Sequence, residues 1–335
     1  MGLGWLADGV SSKPLCLAPI ACDTLGCSMT RLKLLGAILP AIALGFFLAG
    51  AQEPKTGARG GVEGRLTWFD RGGTVLGTAG EAGLYRTLTI SPDGKRIAVE
   101  RTDRGTQNRD IWLVDIATGA MTRLTSDPGW DAFPTWSPDG RRILFTSNRS
   151  GVFDLYERPS DGSAADTLFY RSSEGKGPTS WSPNGKFLVY YSLGQPTHLR
   201  LLRVPGSADQ QAAPVVDPTF TSITARFSPD GRWILYTSNE SGGDEVSVRP
   251  FNPATGSIGD PVTLTHDGGR TPLWRGDGQE IYYFTTGGMV TAMEVHAGRT
   301  FEAGPSKPLF QAPSGVLFWD VSPDGKRFLM PAAQR

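Results

Sequence analysis

The sequence has 335 residues, of which 39% are hydrophobic, 10% aromatic and 20% charged, a composition that argues against global disorder. Its 33 basic and 33 acidic side chains give a formal net charge of zero, so no strongly basic field exists to recruit nucleic acid or an anionic membrane surface. The 43 glycines and 25 prolines favour a fold with many short strands and turns.

The three cysteines all lie in the first 28 residues, at Cys16, Cys22 and Cys27. No histidine stands near them to complete a zinc-type ligand set, so we expect neither a metal site there nor any other cofactor. Residues 1–28 have two interpretations. They are either an unstructured or mis-assigned extension ahead of a true start at Met29, or a cytoplasmic tail that precedes a membrane anchor.

Residues 29–51 have the features of a targeting segment. Arg31 and Lys33 form a basic flank, residues 34–51 are an apolar run, and residues 49–51 offer a small-residue cleavage pattern. The segment predicts a signal peptide or a retained anchor, and in either case a periplasmic or otherwise extracytoplasmic body. Residues 34–51 would be the only membrane contact, if uncleaved, and residues 52–63 are interpreted as a linker.

A four-residue motif recurs along the rest of the chain. Its glycines are 45 to 47 residues apart and stand at positions 94, 140, 185, 231, 278 and 325. Ser-Pro-Asp-Gly occurs in four copies, Ser-Pro-Asn-Gly in one, and Arg-Gly-Asp-Gly at residues 275–278. Serine first, proline second and glycine fourth are typical of a type I turn, so we interpret the motif aspartates as turn residues, with ion binding as the alternative.

An apolar triplet follows each turn, as at residues 97–99 and 143–145, and predicts a strand buried on both faces. Trp136, Trp181 and Trp274 share one position before the turn and are expected to pack in the core. The sixth repeat lacks its outer strands, but residues 64–77 imitate them. We therefore predict an all-β fold, a six-bladed β-propeller of four-stranded blades over residues 64–335. Its last blade is closed by strands in residues 64–77 that pair with strands in residues 316–335.

The repeat resembles that of the TolB-type propellers of bacterial proteins. Residues 130–136, 225–233 and 238–242 are also similar to the extracytoplasmic propellers attached to some bacterial serine/threonine kinases. The chain has none of the kinase motifs, so this likeness implies at most a sensor propeller without its kinase domain. TolB-like proteins usually carry an additional N-terminal α/β domain, which residues 52–63 are too short to supply.

Catalytic signals are weak. His198, His266 and His296 fall at different repeat positions, and there is no Gly-x-Ser-x-Gly elbow, so no catalytic residue is predicted. We favour a non-enzymatic, monomeric binding or scaffold propeller that takes a protein segment or a small ligand. A metal-dependent lyase or lactonase-like enzyme is the alternative.

The loops that enter the innermost strands form the predicted channel mouth. Their aromatic and oppositely charged residues suit a protein or peptide ligand, although the same residues would also serve simply to solvate the rim. The predicted mouth residues are Tyr85, Arg86, Trp130, Asp131, Lys176, Ser222, Arg270 and Leu317.

Overall fold

The computed structural model describes residues 61–204 and 212–333. The chain divides into two units, Met1–Gln52 and Glu53–Arg335. The predictions for residues 1–28, for the targeting segment 29–51 and for most of the linker lie outside the described residues. Among the described residues there is no helix long and apolar enough to span a membrane.

All of the regular secondary structure among the described residues of the second unit is β-strand, arranged in five antiparallel sheets. A seven-stranded sheet has the order β22-β23-β1-β2-β3-β4-β5. Its strands are β1 (Val62–Phe69), β2 (Val75–Ile90), β3 (Arg96–Thr102), β4 (Arg109–Asp115), β5 (Met121–Arg123), β22 (Asp320–Val321) and β23 (Phe328–Ala332).

The other four sheets have four strands each, in chain order. The first two comprise β6 (Asp131–Trp136), β7 (Arg142–Ser147), β8 (Asp154–Pro159) and β9 (Thr167–Tyr170), then β10 (Lys176–Trp181), β11 (Phe187–Ser192), β12 (His198–Arg203) and β13 (Ala213–Pro214). The last two comprise β14 (Ser222–Phe227), β15 (Trp233–Ser238), β16 (Glu245–Pro250) and β17 (Val262–Thr263), then β18 (Arg270–Trp274), β19 (Glu280–Phe284), β20 (Met289–Ala297) and β21 (Phe301–Gln311).

The repeated motif forms the turn between the first two strands of each repeat. All six motif glycines have φ between 68° and 74°, a conformation that favours glycine. In the first copy the Gly94 amide donates to the Ser91 carbonyl at 2.8 Å, and the Ser91 hydroxyl donates to Asp93 at 2.6 Å. The motif aspartate is therefore used to build the turn.

Each apolar triplet lies in the strand that follows a motif turn, and the triplet residues themselves are buried. Every residue of β11, β15 and β19 is buried, as expected for a strand covered on both faces. The preceding tryptophans Trp136 and Trp274 are buried too, and each indole Nε1 donates to a carbonyl of the preceding repeat. The sheets thus pack face to face around apolar cores.

The first and last described strands pair with each other. β1 pairs antiparallel with β23, in a register that places Thr67 opposite Met330. The prediction ended the second outer strand at residue 77, whereas β2 continues to Ile90. Its first part pairs with β1 and its last part with β3, which fuses two groups of strands into the seven-stranded sheet. No hydrogen-bonded sheet in the described residues closes on itself.

The first strands of successive repeats contact one another in turn. The contacts run from the last part of β2 to β6, β10, β14, β18 and β22, and β22 contacts β2 again. These six strands, called the inner strands below, begin at one end of the sheets and lead to the motif turns at the other. They therefore position the residues that were predicted to form the mouth.

Candidate functional site

Four of the predicted mouth residues begin inner strands: Asp131, Lys176, Ser222 and Arg270. Their cross-strand partners are equivalent too, since the first three pair with serines that end the second strand of each sheet. The structure therefore brings these positions to the same end of their sheets. Their side chains, however, differ in burial and in the contacts that they make.

Lys176 is fully buried and is engaged inside the protein. Its Nζ donates to Asp154 Oδ1 at 2.8 Å and to the carbonyls of Glu174 and Ser172 at 2.6 and 3.4 Å. Although burial opposes ionisation, hydrogen bonds from Lys176 and Ser150 hold the pKa of Asp154 below its usual value. Lys176 and Asp154 thus form a buried ion pair, and the charge of Lys176 is not available to a ligand.

Asp131 and Ser222 are also buried and bonded within the fold. Arg149 Nη2 donates to both carboxylate oxygens of Asp131, at 3.0 and 3.1 Å. Burial raises the pKa of Asp131, against the hydrogen bonds that it accepts. The Ser222 hydroxyl accepts the Leu199 amide at 2.9 Å. Neither side chain offers an accessible group to a ligand.

Tyr85 is buried, and its hydroxyl donates to the Glu81 carbonyl at 2.5 Å. The other predicted residues keep accessible surface. Arg86, Trp130 and Arg270 are half-buried, and Leu317 is 46% exposed. Arg270 donates to the Thr286 carbonyl at 3.2 Å.

An aromatic cluster that sequence reasoning missed connects several of these residues. The Phe133 ring contacts the Tyr191 ring edge-on at 5.4 Å and the Phe318 ring at 6.0 Å. The Arg86 guanidinium lies 6.0 Å from the centre of the same Phe133 ring. We call Arg86, Phe133, Tyr191 and Phe318 the inner-strand cluster. It joins three sheets, and Leu317 adjoins it in the chain.

Two opposite charges lie deeper along the inner strands, each five residues before a motif glycine. Arg226 Nη1 donates to the carbonyls of Thr179 and Ala225 at 2.7 and 3.0 Å. Asp320 accepts the amides of Ile90 and Val321 at 2.7 and 2.9 Å. Burial raises the pKa of Asp320 and lowers that of Arg226, and the charge of each residue partly offsets the shift of the other.

The inner strands are irregular where the cluster lies, which explains why simple alternation does not locate it. Phe133, Thr224 and Thr271 have φ of 55°, 51° and 49°, unusual values for residues other than glycine. Each sits at a break in the register between the first and second strands of its sheet. Such bulges re-aim side chains. The signal in the sequence is the spacing of these residues, seven positions before each motif glycine.

A cavity of about 750 Å³ lies beside this end of the inner strands. Its wall is built by the loops 103–108 and 126–130 and includes Trp112 and Trp130. The guanidinium of Arg109 stacks on Trp130 at 4.1 Å, and that of Arg101 stacks on Trp112 at 4.8 Å. Trp130 therefore lines this cavity. Arg86 and Phe318, which follows Leu317 in the chain, belong to the inner-strand cluster instead.

The described residues contain no group of three or more His, Cys, Asp or Glu side chains placed to hold a metal ion. His198 is buried, with Nδ1 3.0 Å from the Pro196 carbonyl, whereas His266 and His296 are exposed on other strands and loops. The three histidines therefore do not converge on one site.

The sequence is similar to one protein family and to several known proteins. Residues 79–242 match the TolB beta propeller domain family. The chain is 36% identical over 205 residues to an uncharacterised protein of Agrobacterium fabrum, a match that covers 58% of this chain and 67% of that protein. It is 33% identical over 175 residues to the Tol-Pal system protein TolB of Wolinella succinogenes, covering 51% of this chain but only 40% of the relative.

Solved structures agree on the fold. A protein assigned as TolB from Agrobacterium tumefaciens superimposes with a TM-score of 0.62 at 17% identity, over 82% of this chain and 100% of that one. A periplasmic gluconolactonase of Pseudomonas aeruginosa gives 0.51 at 14% identity, over 76% and 80% of the two chains. At these identities the likeness concerns the fold alone. Together with the sequence matches, it confirms the resemblance of the repeat: the chain belongs to the TolB-type β-propeller family.

Proposed function

We propose that this chain is a non-enzymatic, extracytoplasmic binding propeller that takes a protein segment at the end where the inner strands begin. The observation that carries the proposal is the exposed Leu317 beside the inner-strand cluster. Aromatic rings and arginine are the side chains enriched at protein interfaces, and Leu317 adds exposed apolar surface beside them. Three of the more polar predicted residues, Asp131, Lys176 and Ser222, stabilise the propeller instead.

The proposal includes a six-bladed ring. If β2 is counted in both of the groups that it joins, the described strands form six groups of four. The cyclic contacts of the inner strands support the same count. In this arrangement β22, β23, β1 and the first part of β2 form the last blade, and the pairing of β1 with β23 fastens the ring.

The extracytoplasmic location rests on the targeting segment and on the family. A basic flank and an apolar run at residues 29–51 direct the body across a membrane, whether the segment is cleaved or retained. The name of the Wolinella relative, a Tol-Pal system protein, fits a partner that is another protein.

An enzymatic role is the alternative, because a gluconolactonase shares the fold. The enzyme that we consider as the alternative is metal-dependent, so it would hold a divalent ion. Metal analysis of the full-length chain separates the two. We expect far less than one ion per chain, whereas a stoichiometric divalent ion together with lactone hydrolysis would favour the enzyme.

Binding is tested with two variants of matched exposure. Leu317 is 46% exposed at the proposed mouth, and Val262 is 42% exposed on the outermost strand β17. A carboxylate at residue 317 would face the partner, so we expect Leu317→Asp to lose a co-purifying protein by about tenfold or more, and Val262→Asp to retain it. Equal recovery with both variants would contradict a mouth-bound partner.

A further inference from the structure

The inner strands keep accessible surface although neighbouring strands pack on both sides of them. Phe133, Thr224 and Thr271 are half-buried, and each of their strands contacts the inner strand before it and the one after it. In the six-bladed ring proposed above, such residues face the axis. The accessible surface therefore belongs to a channel that runs between the inner strands from the proposed mouth.

One guanidinium in this channel has an unused edge. Arg226 is half-buried, and its Nη1 is taken up by the carbonyls of Thr179 and Ala225 at 2.7 and 3.0 Å. Its Nε and Nη2 have no hydrogen-bond partner among the described residues, and both atoms keep accessible surface. These two nitrogens lie on one side of the planar fork and donate in parallel, which is the geometry that grips both oxygens of a carboxylate. The edge is therefore open to a ligand in the channel.

The charges of the inner strands favour an anion. Six charged side chains belong to these strands, namely Arg86, Asp131, Lys176, Arg226, Arg270 and Asp320. Two of them are neutralised by residues on other strands and loops, since Asp131 pairs with Arg149 at 3.0 Å and Lys176 with Asp154 at 2.8 Å. The remaining acid, Asp320, already accepts two backbone amides. The arginines at 226 and 270 alone outnumber it, so a bound anion would compensate a positive excess.

Aromatic rings stand between the mouth and Arg226. Phe133 lies seven positions before its motif glycine and Arg226 five positions before its own, so Arg226 is two residues, or roughly 7 Å, deeper along the inner strands. The rings of Phe133, Tyr191 and Phe318 contact one another at this shallower level. We propose that the channel takes a carboxylate of the bound protein segment, held by Nε and Nη2 of Arg226, with an adjoining apolar group packed against the inner-strand cluster.

This inference rests on the proposed function and deepens it, because it names the chemical group that the bound segment presents. Leu317 is exposed at the proposed mouth, whereas Arg226 lies deeper between the inner strands. A small carboxylate probe reaches Arg226 without needing a contact to Leu317. The failure of the carboxylate site and the failure of a mouth-bound partner can therefore be recognised separately.

Two sources would present such a carboxylate, the C-terminus of a chain or the side chain of an acidic residue. Model compounds separate them. Nα-acetyl-phenylalanine has a terminal carboxylate beside an aromatic ring, and Nα-acetyl-glutamate methylamide has only a side-chain carboxylate. Nα-acetyl-phenylalanine amide is the control ligand, because it keeps the ring and lacks the charge. Binding of either acid supports the proposal, and the tighter of the two identifies the source.

The test follows the Nε–H signal of Arg226 by NMR, with the full-length chain in mild detergent at about pH 7. We expect at least one of the two acids to shift this signal and to bind at least about tenfold more tightly than the neutral amide, because a paired, charge-assisted hydrogen bond is lost with the carboxylate. Inorganic phosphate is the competing anion. It should bind less tightly than that acid, since it has no apolar group for the inner-strand cluster.

Two variants complete the test. Arg226→Lys keeps the positive charge but loses the paired donors, so it should weaken binding of the acid about tenfold or more. Arg203→Lys is the matched control and should not, because Arg203 also donates to a backbone carbonyl, that of Thr255 at 2.8 Å, but is exposed at the end of β12. Equal binding of acid and amide, tighter binding of phosphate, no shift with either acid, or equal losses in both variants would each overturn the proposal. If Arg226→Lys does not fold, the comparison of acid with amide in the unmodified chain decides. A negative result here would leave the Leu317 variants free to succeed.

Discussion

At the scale of single residues, the motif aspartates act mainly through a hydrogen-bond acceptor oxygen and less through their charge. Asp139 Oδ1 accepts the Ser137 hydroxyl at 2.5 Å and the Arg141 amide at 3.1 Å. The third copy has Asn184 instead, and its Oδ1 accepts the equivalent hydroxyl at 2.7 Å. An amide oxygen therefore serves the turn as well as a carboxylate does.

This equivalence predicts the effects of two substitutions at one position. Asp139→Asn keeps the acceptor oxygen and should lower the free energy of unfolding at about pH 7 only by the small contribution of the carboxylate charge, while Asp139→Ala should lower it by about 1 kcal/mol because the turn loses its acceptor. The Ser137 hydrogen bond holds the pKa of Asp139 below its usual value. Its charge-dependent stability is therefore present above about pH 4 and lost as the pH falls further, and Asp139→Asn should lack that loss. Urea unfolding at both pH values measures this, and a large loss in Asp139→Asn at about pH 7 would contradict it.

At the scale of elements, the repeat and its turns could be predicted because they depend on local chemistry. Gly94 and its five counterparts adopt the positive φ that the motif implies. The orientation of inner-strand side chains could not be predicted, because bulges at Phe133, Thr224 and Thr271 break the alternation. For the same reason, the sequence located the beginnings of the inner strands but not the inner-strand cluster. The burial of Lys176 depends on Asp154, a contact between strands that spacing does not show.

The buried pair between β10 and β8 makes a second prediction. Lys176→Met should lower the free energy of unfolding by about 3–5 kcal/mol, because it leaves the carboxylate of Asp154 buried without its ammonium. Arg171 contacts the same carboxylate at 3.1 Å but is 57% exposed, so Arg171→Met should cost at most about 1 kcal/mol. Chemical denaturation compares the two. Similar small losses would show that Lys176 is accessible, as the sequence predicted for a mouth residue.

At the scale of the whole molecule, stability depends on the junction between the two ends of the propeller. Leu66 of β1 and Leu329 of β23 are fully buried in one core with Ile97 of β3. This core contains side chains from the beginning and the end of the described sequence, so opening it should release the first and last strands together.

Removing side-chain volume from this core tests the junction. Leu66→Ala should lower the free energy of unfolding by about 2–5 kcal/mol and speed hydrogen exchange in both β1 and β23. Leu76→Ala is the control, because Leu76 is 53% exposed on β2 and its truncation should change stability by less than about 0.5 kcal/mol. Faster exchange in β1 with β23 unaffected would contradict the pairing.

The propeller is proposed to bind a protein segment where the inner strands begin. Site-specific photo-crosslinking tests it most directly, with a photoreactive phenylalanine in place of Leu317 or Val262 in the full-length chain in its own cells. We expect a discrete protein adduct from position 317 and none from position 262, since the two residues are similarly exposed and only Leu317 adjoins the inner-strand cluster. Adducts from both positions, or from neither, would contradict it.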